Sequence, residues 1–235
     1  MLHRLNRLIF RGIILVLVKL LTRTKVSGLE NIPTEGGVLM TANHLSVVDP
    51  ALVFMSLDRQ DATGFVAKKH QSNLFYRTIV NLVDGIWLNR YEADSQALRK
   101  ARAYLKNGGI FGIAPEGTRS STGALIPGKI GSAYLADIAQ VPVQPVAIYG
   151  TEGAVHRLLR LERPRLHISF GELYTLPTIE RKDRDAQLQR NTDEIMCRIA
   201  AMLPQKYRGV YVDYPRVQEL IDSAKSQSEV FHSFP

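Results

Sequence analysis

The sequence predicts an α/β fold: a single domain with a largely parallel or mixed sheet flanked by helices. Three observations predict it. Short apolar runs alternate with helical patterns from about residue 37 to residue 203. The chain has 235 residues, 45% of them apolar, enough to bury one large core. Three polar clusters stand just beyond the ends of apolar runs, where open α/β sheets place their ligands.

The first element read along the chain is a helix. Before Glu30 stand Arg4, Arg7, Arg11, Lys19, Arg23 and Lys25, with no acid. At about 100° per residue, Arg4, Arg7, Arg11 and Lys19 share one face. Leu5, Leu8, Ile9, Phe10, Ile13, Ile14, Val16, Leu17, Leu20 and Leu21 cover most of the remainder. From Leu8 to Leu21 such a helix is about 21 Å long, short of a hydrocarbon core of about 30 Å. Arg11 and Lys19 also interrupt it. The pattern predicts an amphipathic helix lying in one leaflet of a membrane surface, basic face toward lipid phosphates. A soluble core helix is the competing reading. A signal peptide fits less well, because Lys19 lies inside the apolar region and no Ala-x-Ala site follows.

Strands are expected over Gly37 to Ala42, Thr63 to Ala67, Ile86 to Leu88, Ile110 to Ala114, Val143 to Tyr149 and Leu166 to Phe170. Helices are expected over Pro50 to Leu57, Asn73 to Leu82, Ala93 to Lys106, Ile130 to Ile138 and Asp183 to Leu203. From Gln205 the chain turns polar and tyrosine-containing and reads as a peripheral packing segment with a frayed tip after Ser223. The organisation is therefore an interfacial helix over 1–24, one domain over 25–204 and a peripheral segment over 205–235.

Charge and composition narrow the function. The net charge of +8 favours an anionic partner: phosphate esters, nucleic acid or an acidic membrane. Clustering of cations on the leading helix favours the membrane over nucleic acid. One cysteine, Cys197, excludes an intrachain disulfide. The metal spacings C-x-x-C and H-E-x-x-H are absent, as is the G-x-S-x-G nucleophile elbow. No metal is expected, and His3, His70, His156, His167 and His232 show no ligand spacing.

The chemistry concentrates in Asn43-His44-Leu45-Ser46-Val47-Val48-Asp49-Pro50. Histidine is the side chain most readily used as a base near neutral pH. A carboxylate on one ring nitrogen fixes the tautomer and stabilises the imidazolium. His44 and Asp49 thus form a candidate general-base dyad, while Ser46 has the spacing of a helix N-cap ahead of Pro50. Pro115-Glu116-Gly117-Thr118-Arg119-Ser120 reads either as a surface turn with a Glu116–Arg119 pair or as an anion cradle. In the cradle Gly117 admits close backbone approach, Thr118 offers a hydroxyl and Arg119 a planar fork. Arg90, just past a strand, is either a snorkelling surface arginine or a second fork.

Four blocks in order resemble the glycerolipid acyltransferase family, typified by 1-acyl-sn-glycerol-3-phosphate acyltransferases. They are Asn43 to Asp49 (N-H-x-x-x-x-D), Gly85 to Arg90, Pro115 to Ser120 (P-E-G-T-R-S) and Val141-Pro142-Val143. Smaller echoes are Gly28 to Pro33, Phe65-Val66-Ala67-Lys68 and Lys129-x-Gly131. The likeness spans residues 25 to 175. Asn89 departs from it, standing where an aspartate is frequent.

The resemblance implies fatty acyl transfer from acyl-CoA or acyl-carrier protein, as co-substrate, to the free hydroxyl of a lysophospholipid acceptor such as 1-acyl-sn-glycerol 3-phosphate. It implies no other cofactor. His44 and Asp49 would be catalytic. Asn43, Lys68, Arg90, Glu116, Gly117, Thr118 and Arg119 would bind substrate, with Lys68 or a backbone N–H steadying the oxyanion. An anionic membrane surface would be a partner, and the enzyme would sit peripherally or monotopically on the cytoplasmic face of the cell membrane. The blocks leave the acceptor open: glycerol 3-phosphate, another lysophospholipid and a lyso-ornithine lipid are alternatives, as is a non-catalytic lipid-binding protein.

Overall fold

The computed structural model describes residues 2–90, 92 and 94–232, without the side chains of 2–4 and 227–232. Seven strands form one mixed sheet: β1 (Arg23–Ser27), β2 (Val38–Ala42), β3 (Ala62–Ala67), β4 (Ile86–Leu88), β5 (Ile110–Ile113), β6 (Val143–Tyr149) and β7 (Arg165–Phe170). Their spatial order is β1-β7-β6-β2-β5-β3-β4. Neighbours pair parallel except β6 with β7. The carboxyl ends of β2 to β6 therefore share one edge with the amino ends of β7 and β1. The chain leaves β2 in one direction for β3, β4 and β5 and returns to its other side with β6. Ligands bind at such a switch point.

Among the described residues, eight α-helices complete the fold: α1 (Leu2–Leu21), α2 (Asp49–Ser56), α3 (Leu74–Leu82), α4 (Ser95–Lys106), α5 (Gly131–Ala139), α6 (Ala154–Leu159), α7 (Arg184–Met202) and α8 (Pro215–His232). The strand pleat sends alternate residues to two cores. Leu39, Phe111, Val143 and Ala147 meet Leu105, Leu135 and Ile195 of α4, α5 and α7. Val38, Met40, Ile110, Val146 and Ile148 meet Leu52 of α2 on the other face, where Val18 of α1 also packs.

The expected strands and the five expected domain helices are present, with shifted ends. Ala93, the expected start of α4, lies outside the described residues; the helix is capped by Asp94, which accepts from Ala97 N–H at 3.0 Å. β1 and α6 go beyond the sequence reading. β1 carries Arg23, Lys25 and Ser27 on its exposed side, so it shows little hydrophobic signal and exists through pairing with β7. The polar C-terminal segment contains α8. Val217 is buried against the core, and Arg216 bonds both carboxylate oxygens of Glu194 on α7.

The orientation of α1 departs from expectation. Arg7 is only 4% exposed: it pairs with Asp84 at 3.2 Å, donates to the Ala62 carbonyl and lies over the Phe54 ring. Arg11 pairs with Asp58 at 2.8 Å and donates to the Met55 carbonyl. The side chain of Arg4 lies outside the described residues, and Lys19 is exposed. Two cations expected to meet lipid phosphates instead bolt the helix to the domain. The outward face is apolar: Leu5, Leu8, Ile9, Ile13, Val16, Leu17, Leu20 and Leu21 are each between 47 and 65% exposed. The helical period alone could not reveal which face would turn inward, because buried arginines need partners that only the folded domain supplies. Among the described residues, no helix is long and apolar enough to cross a membrane.

Candidate active site

His44 lies two residues past β2 and is held from both sides of its backbone. Its N–H donates to Glu116 Oε1 at 2.8 Å, and its carbonyl accepts from Ser120 N–H at 2.8 Å. Both partners follow β5, the strand beside β2, so two sequence blocks about seventy residues apart close into one loop pair.

The ring is oriented by Asp49, the first residue of α2. Asp49 Oδ2 lies 2.9 Å from His44 Nδ1 and accepts from Leu45 N–H and Ser46 N–H, each at 2.7 Å. An oxygen already accepting two N–H groups is an acceptor for the third, so Nδ1 carries the proton and Nε2 presents a lone pair. Asp49 is 2% exposed, and the His44 side chain 18%. A shielded carboxylate behind a partly open imidazole is the geometry of a general base.

This arrangement corrects the expected N-cap. Val48 holds the cap position, without a side-chain cap bond, and Ser46 makes no cap. The carboxylate of Asp49 folds back and does that work on the loop, fixing the dyad while starting the helix.

Two of the expected substrate-binding residues, Asn43 and Glu116, direct their polar atoms to the backbone of neighbouring segments. Asn43 is 2% exposed, and its amide clamps β6, donating to the Ile148 carbonyl at 2.7 Å and accepting from Ile148 N–H at 2.8 Å. Glu116 is fully buried, with Oε1 on His44 N–H and Oε2 on Ile126 N–H at 3.1 Å. Burial pushes its carboxyl above the usual carboxylate range, while the two backbone N–H bonds pull it back. A surface Glu116–Arg119 pair is therefore ruled out. Replacing Glu116 by glutamine sets an amide NH2 against a backbone N–H, a mismatch of about 1–3 kcal/mol. We expect kcat to fall with little change in the acceptor KM, as steady-state kinetics would reveal; a rise in KM alone would return Glu116 to the substrate.

Thr118 and Arg119 are exposed beside this buried anchor. Gly117 has φ +69°, the left-handed turn that lets the chain pass from buried Glu116 to exposed Thr118; an added Cβ would also meet Lys129 Cδ at 3.0 Å. Arg90 follows β4, and the backbone N–H of its neighbour Asn89 donates to Asp94 Oδ2 at 3.1 Å. Arg90 and Arg119 follow the carboxyl ends of β4 and β5 on the same edge, and slight desolvation, then Lys69, Arg90 and Arg119, hold the His70 ring below the usual imidazole range. Lys68 stands at the β3 end of the same edge. It opens the 3-10 turn Lys68–His70 that follows β3, two strands from β2, and lines a cavity of about 640 Å³ with Trp87, Asp94 and Lys100. The edge of the sheet thus offers a base at β2 and cations toward β3, β4 and β5, among which a phosphorylated hydroxyl compound can be held.

A model of the acyltransferase family matches residues 23–149, more than half of the chain. The chain belongs to the acyltransferase family. It is 33% identical over 131 residues to the 1-acyl-sn-glycerol-3-phosphate acyltransferase of Borreliella burgdorferi, covering 54% of this chain and 51% of that protein. It is 29% identical over 136 residues to the chloroplastic 1-acyl-sn-glycerol-3-phosphate acyltransferase BAT2 of Brassica napus, covering 55% and 38%. The chain spans about half the length of the curated relatives it matches. Its fold is similar to the crystal structure of the 1-acyl-sn-glycerophosphate (LPA) acyltransferase PlsC from Thermotoga maritima, with TM-score 0.59 and 23% identity over 79% of this chain and 78% of that one.

In this member of the acyltransferase family Lys129 lies beside the Pro115–Ser120 loop. Its exposed side chain lies against Gly117, and its backbone N–H donates to the Pro115 carbonyl at 2.8 Å. The Lys129-x-Gly131 echo was the available signal, but spacing alone could not say that it folds onto Gly117. Among the described residues, no cluster of three or more His, Cys, Asp or Glu side chains could hold a metal ion.

Proposed function

We propose that this acyltransferase moves a fatty acyl group from an acyl-CoA or acyl-carrier-protein thioester to the free hydroxyl of 1-acyl-sn-glycerol 3-phosphate, giving phosphatidic acid. The observation that carries the reading is the His44–Asp49 contact of 2.9 Å, set on the same sheet edge as Arg90 and Arg119, which follow β4 and β5. The names of the relatives support the acceptor.

In this reaction His44 Nε2 takes the proton from the acceptor hydroxyl, whose oxygen attacks the thioester carbonyl. Asp49 Oδ2 holds the Nδ1 proton and stabilises the imidazolium. The tetrahedral intermediate expels the thiolate, which recovers the proton from His44, so no acyl-enzyme forms. The exposed Lys129 and the cations at Arg90 and Arg119 surround the acceptor's phosphate. Holding two substrates in register contributes about 7–11 kcal/mol in addition to the base.

The outward apolar face of α1 rests in one leaflet of the membrane that supplies the lipid acceptor. This places the enzyme peripherally or monotopically, on the cytoplasmic face where thioester donors are available. The deciding experiment offers a panel of acceptors with radiolabelled palmitoyl-CoA or palmitoyl-carrier protein and separates the products by chromatography. Phosphatidic acid from lysophosphatidate is the expected product; label on another acceptor, with none on lysophosphatidate, overturns the assignment.

Arg90→Ala and Arg119→Ala test the phosphate end. Charge-assisted bonds contribute about 1.5–3 kcal/mol each, so KM for lysophosphatidate should rise about 10–100-fold, while donor KM stays within twofold or so. A rise confined to the donor would move these arginines to the thioester carrier.

A further inference from the structure

The sheet carries a second cationic surface, at the edge away from Arg90. β1 and β7 pair in parallel with Arg23 opposite Arg165 and Lys25 opposite His167. Like charges facing across a strand pair destabilise it. Here the outer rows of both strands are basic, with Lys25 and Arg165 exposed. The His167 ring lies below the usual imidazole range through desolvation, then through Lys25 and Arg165. The ring stacks on Tyr149 at 4.4 Å, and Tyr149 packs on Tyr207, whose ring lies under exposed Lys206 at 4.8 Å. The result is an exposed basic row beside packed aromatic rings, with Glu152 accepting from the Tyr207 hydroxyl at 2.6 Å at its margin, an open strand surface rather than a small-ligand pocket.

We propose that this face docks an acidic carrier protein that presents the acyl thioester on its flexible prosthetic arm. The inference rests on the acyl-transfer reading above and names its donor. Its position supports it. Tyr149 follows Ile148, the residue clamped by Asn43 next to the base, so the patch shares the catalytic edge. β1 lies three strands from β2, about 14 Å at the usual spacing, room for an extended arm between carrier and thioester. Arg90 and Arg119 sit toward the opposite end of the edge, leaving this end to the second substrate. The patch also faces away from α1. Val26 and Thr24 line the cavity beside Leu15 and Val18 of α1 (Arg23 borders it too), whereas Lys25 projects from the other side of the strand. A membrane under the apolar face of α1 therefore leaves the patch toward solvent, where a soluble acidic protein can reach it.

The test is Lys25→Glu/Arg165→Glu in the full chain, with Lys25→Gln/Arg165→Gln as the milder pair should charge reversal impair folding. Binding is read by fluorescence anisotropy of acyl-carrier protein bearing a non-hydrolysable palmitoyl amide, and turnover with palmitoyl-carrier protein and palmitoyl-CoA. We expect Kd and donor KM for the carrier protein to rise about tenfold or more and their salt dependence to flatten. KM for palmitoyl-CoA and sedimentation with phosphatidylglycerol vesicles should be unchanged. Unaltered carrier binding, or a wild-type protein that binds no carrier, overturns the proposal. A matching rise in palmitoyl-CoA KM reassigns the patch to nucleotide phosphates, and loss of vesicle binding reassigns it to the membrane. Carrier binding that depends on Lys25 and Arg165 without transfer to lysophosphatidate leaves the docking face standing and removes the reaction proposed above.

Discussion

His44→Ala should lower kcat by about 10²–10⁴-fold, roughly 3–5.5 kcal/mol of barrier, with thermal midpoint and circular dichroism near those of the wild type. The stability half of this expectation follows from where His44 is held. Its anchoring bonds to Glu116 and Ser120 are made by the backbone, which alanine retains. Asp49→Asn should behave differently. Oδ2 serves Leu45 N–H and Ser46 N–H as well as the ring, so a neutral, weaker acceptor costs about 1.5–3 kcal/mol of fold stability in addition to a comparable loss of kcat. Paired melting curves and single-turnover rates separate the two variants. Wild-type turnover by His44→Ala would sink the dyad, and an unshifted melt for Asp49→Asn would show that the loop bonds are not needed.

The second large effect concerns the membrane. Changing Leu5, Ile9, Ile13 and Leu17 together to glutamine should weaken binding to vesicles by about 10²–10³-fold or more, since each half-exposed side chain can bury enough area for about 1 kcal/mol. Binding by the wild type should change little between low and moderate salt. With Arg7 and Arg11 spent on Asp84 and Asp58, fewer cations remain to meet lipid phosphates than the sequence suggested. Flotation across a salt series measures both. Substitution is a cleaner test than removal of α1, because deletion would strip Arg7 from its buried contacts and Val18 from the core. Full flotation by the glutamine variant would place the membrane contact elsewhere; complete release of the wild type by salt would restore an electrostatic account.

Much of this protein was legible in its residues. Apolar runs such as Ile110 to Ile113 and Val143 to Tyr149 announce buried strands, because a strand covered on both faces needs no polar alternation. The pairing of His44 with Asp49 was also legible, because five residues spanning a turn into a helix can return a carboxylate to a ring. Their order with Arg90 and Arg119 was enough to suggest an acyltransferase. Other features depend on partners remote in the chain. β1 needs β7, 142 positions away by its register; Asn43 and Glu116 were read as binding groups from the family resemblance, and only the tertiary structure shows their bonds to Ile148, His44 and Ile126. The period of α1 fixed a basic and an apolar face but not their directions. That was decided by Asp84, Asp58 and Phe54, which hold buried Arg7 and half-buried Arg11 against the domain, leaving the leucines and isoleucines outside.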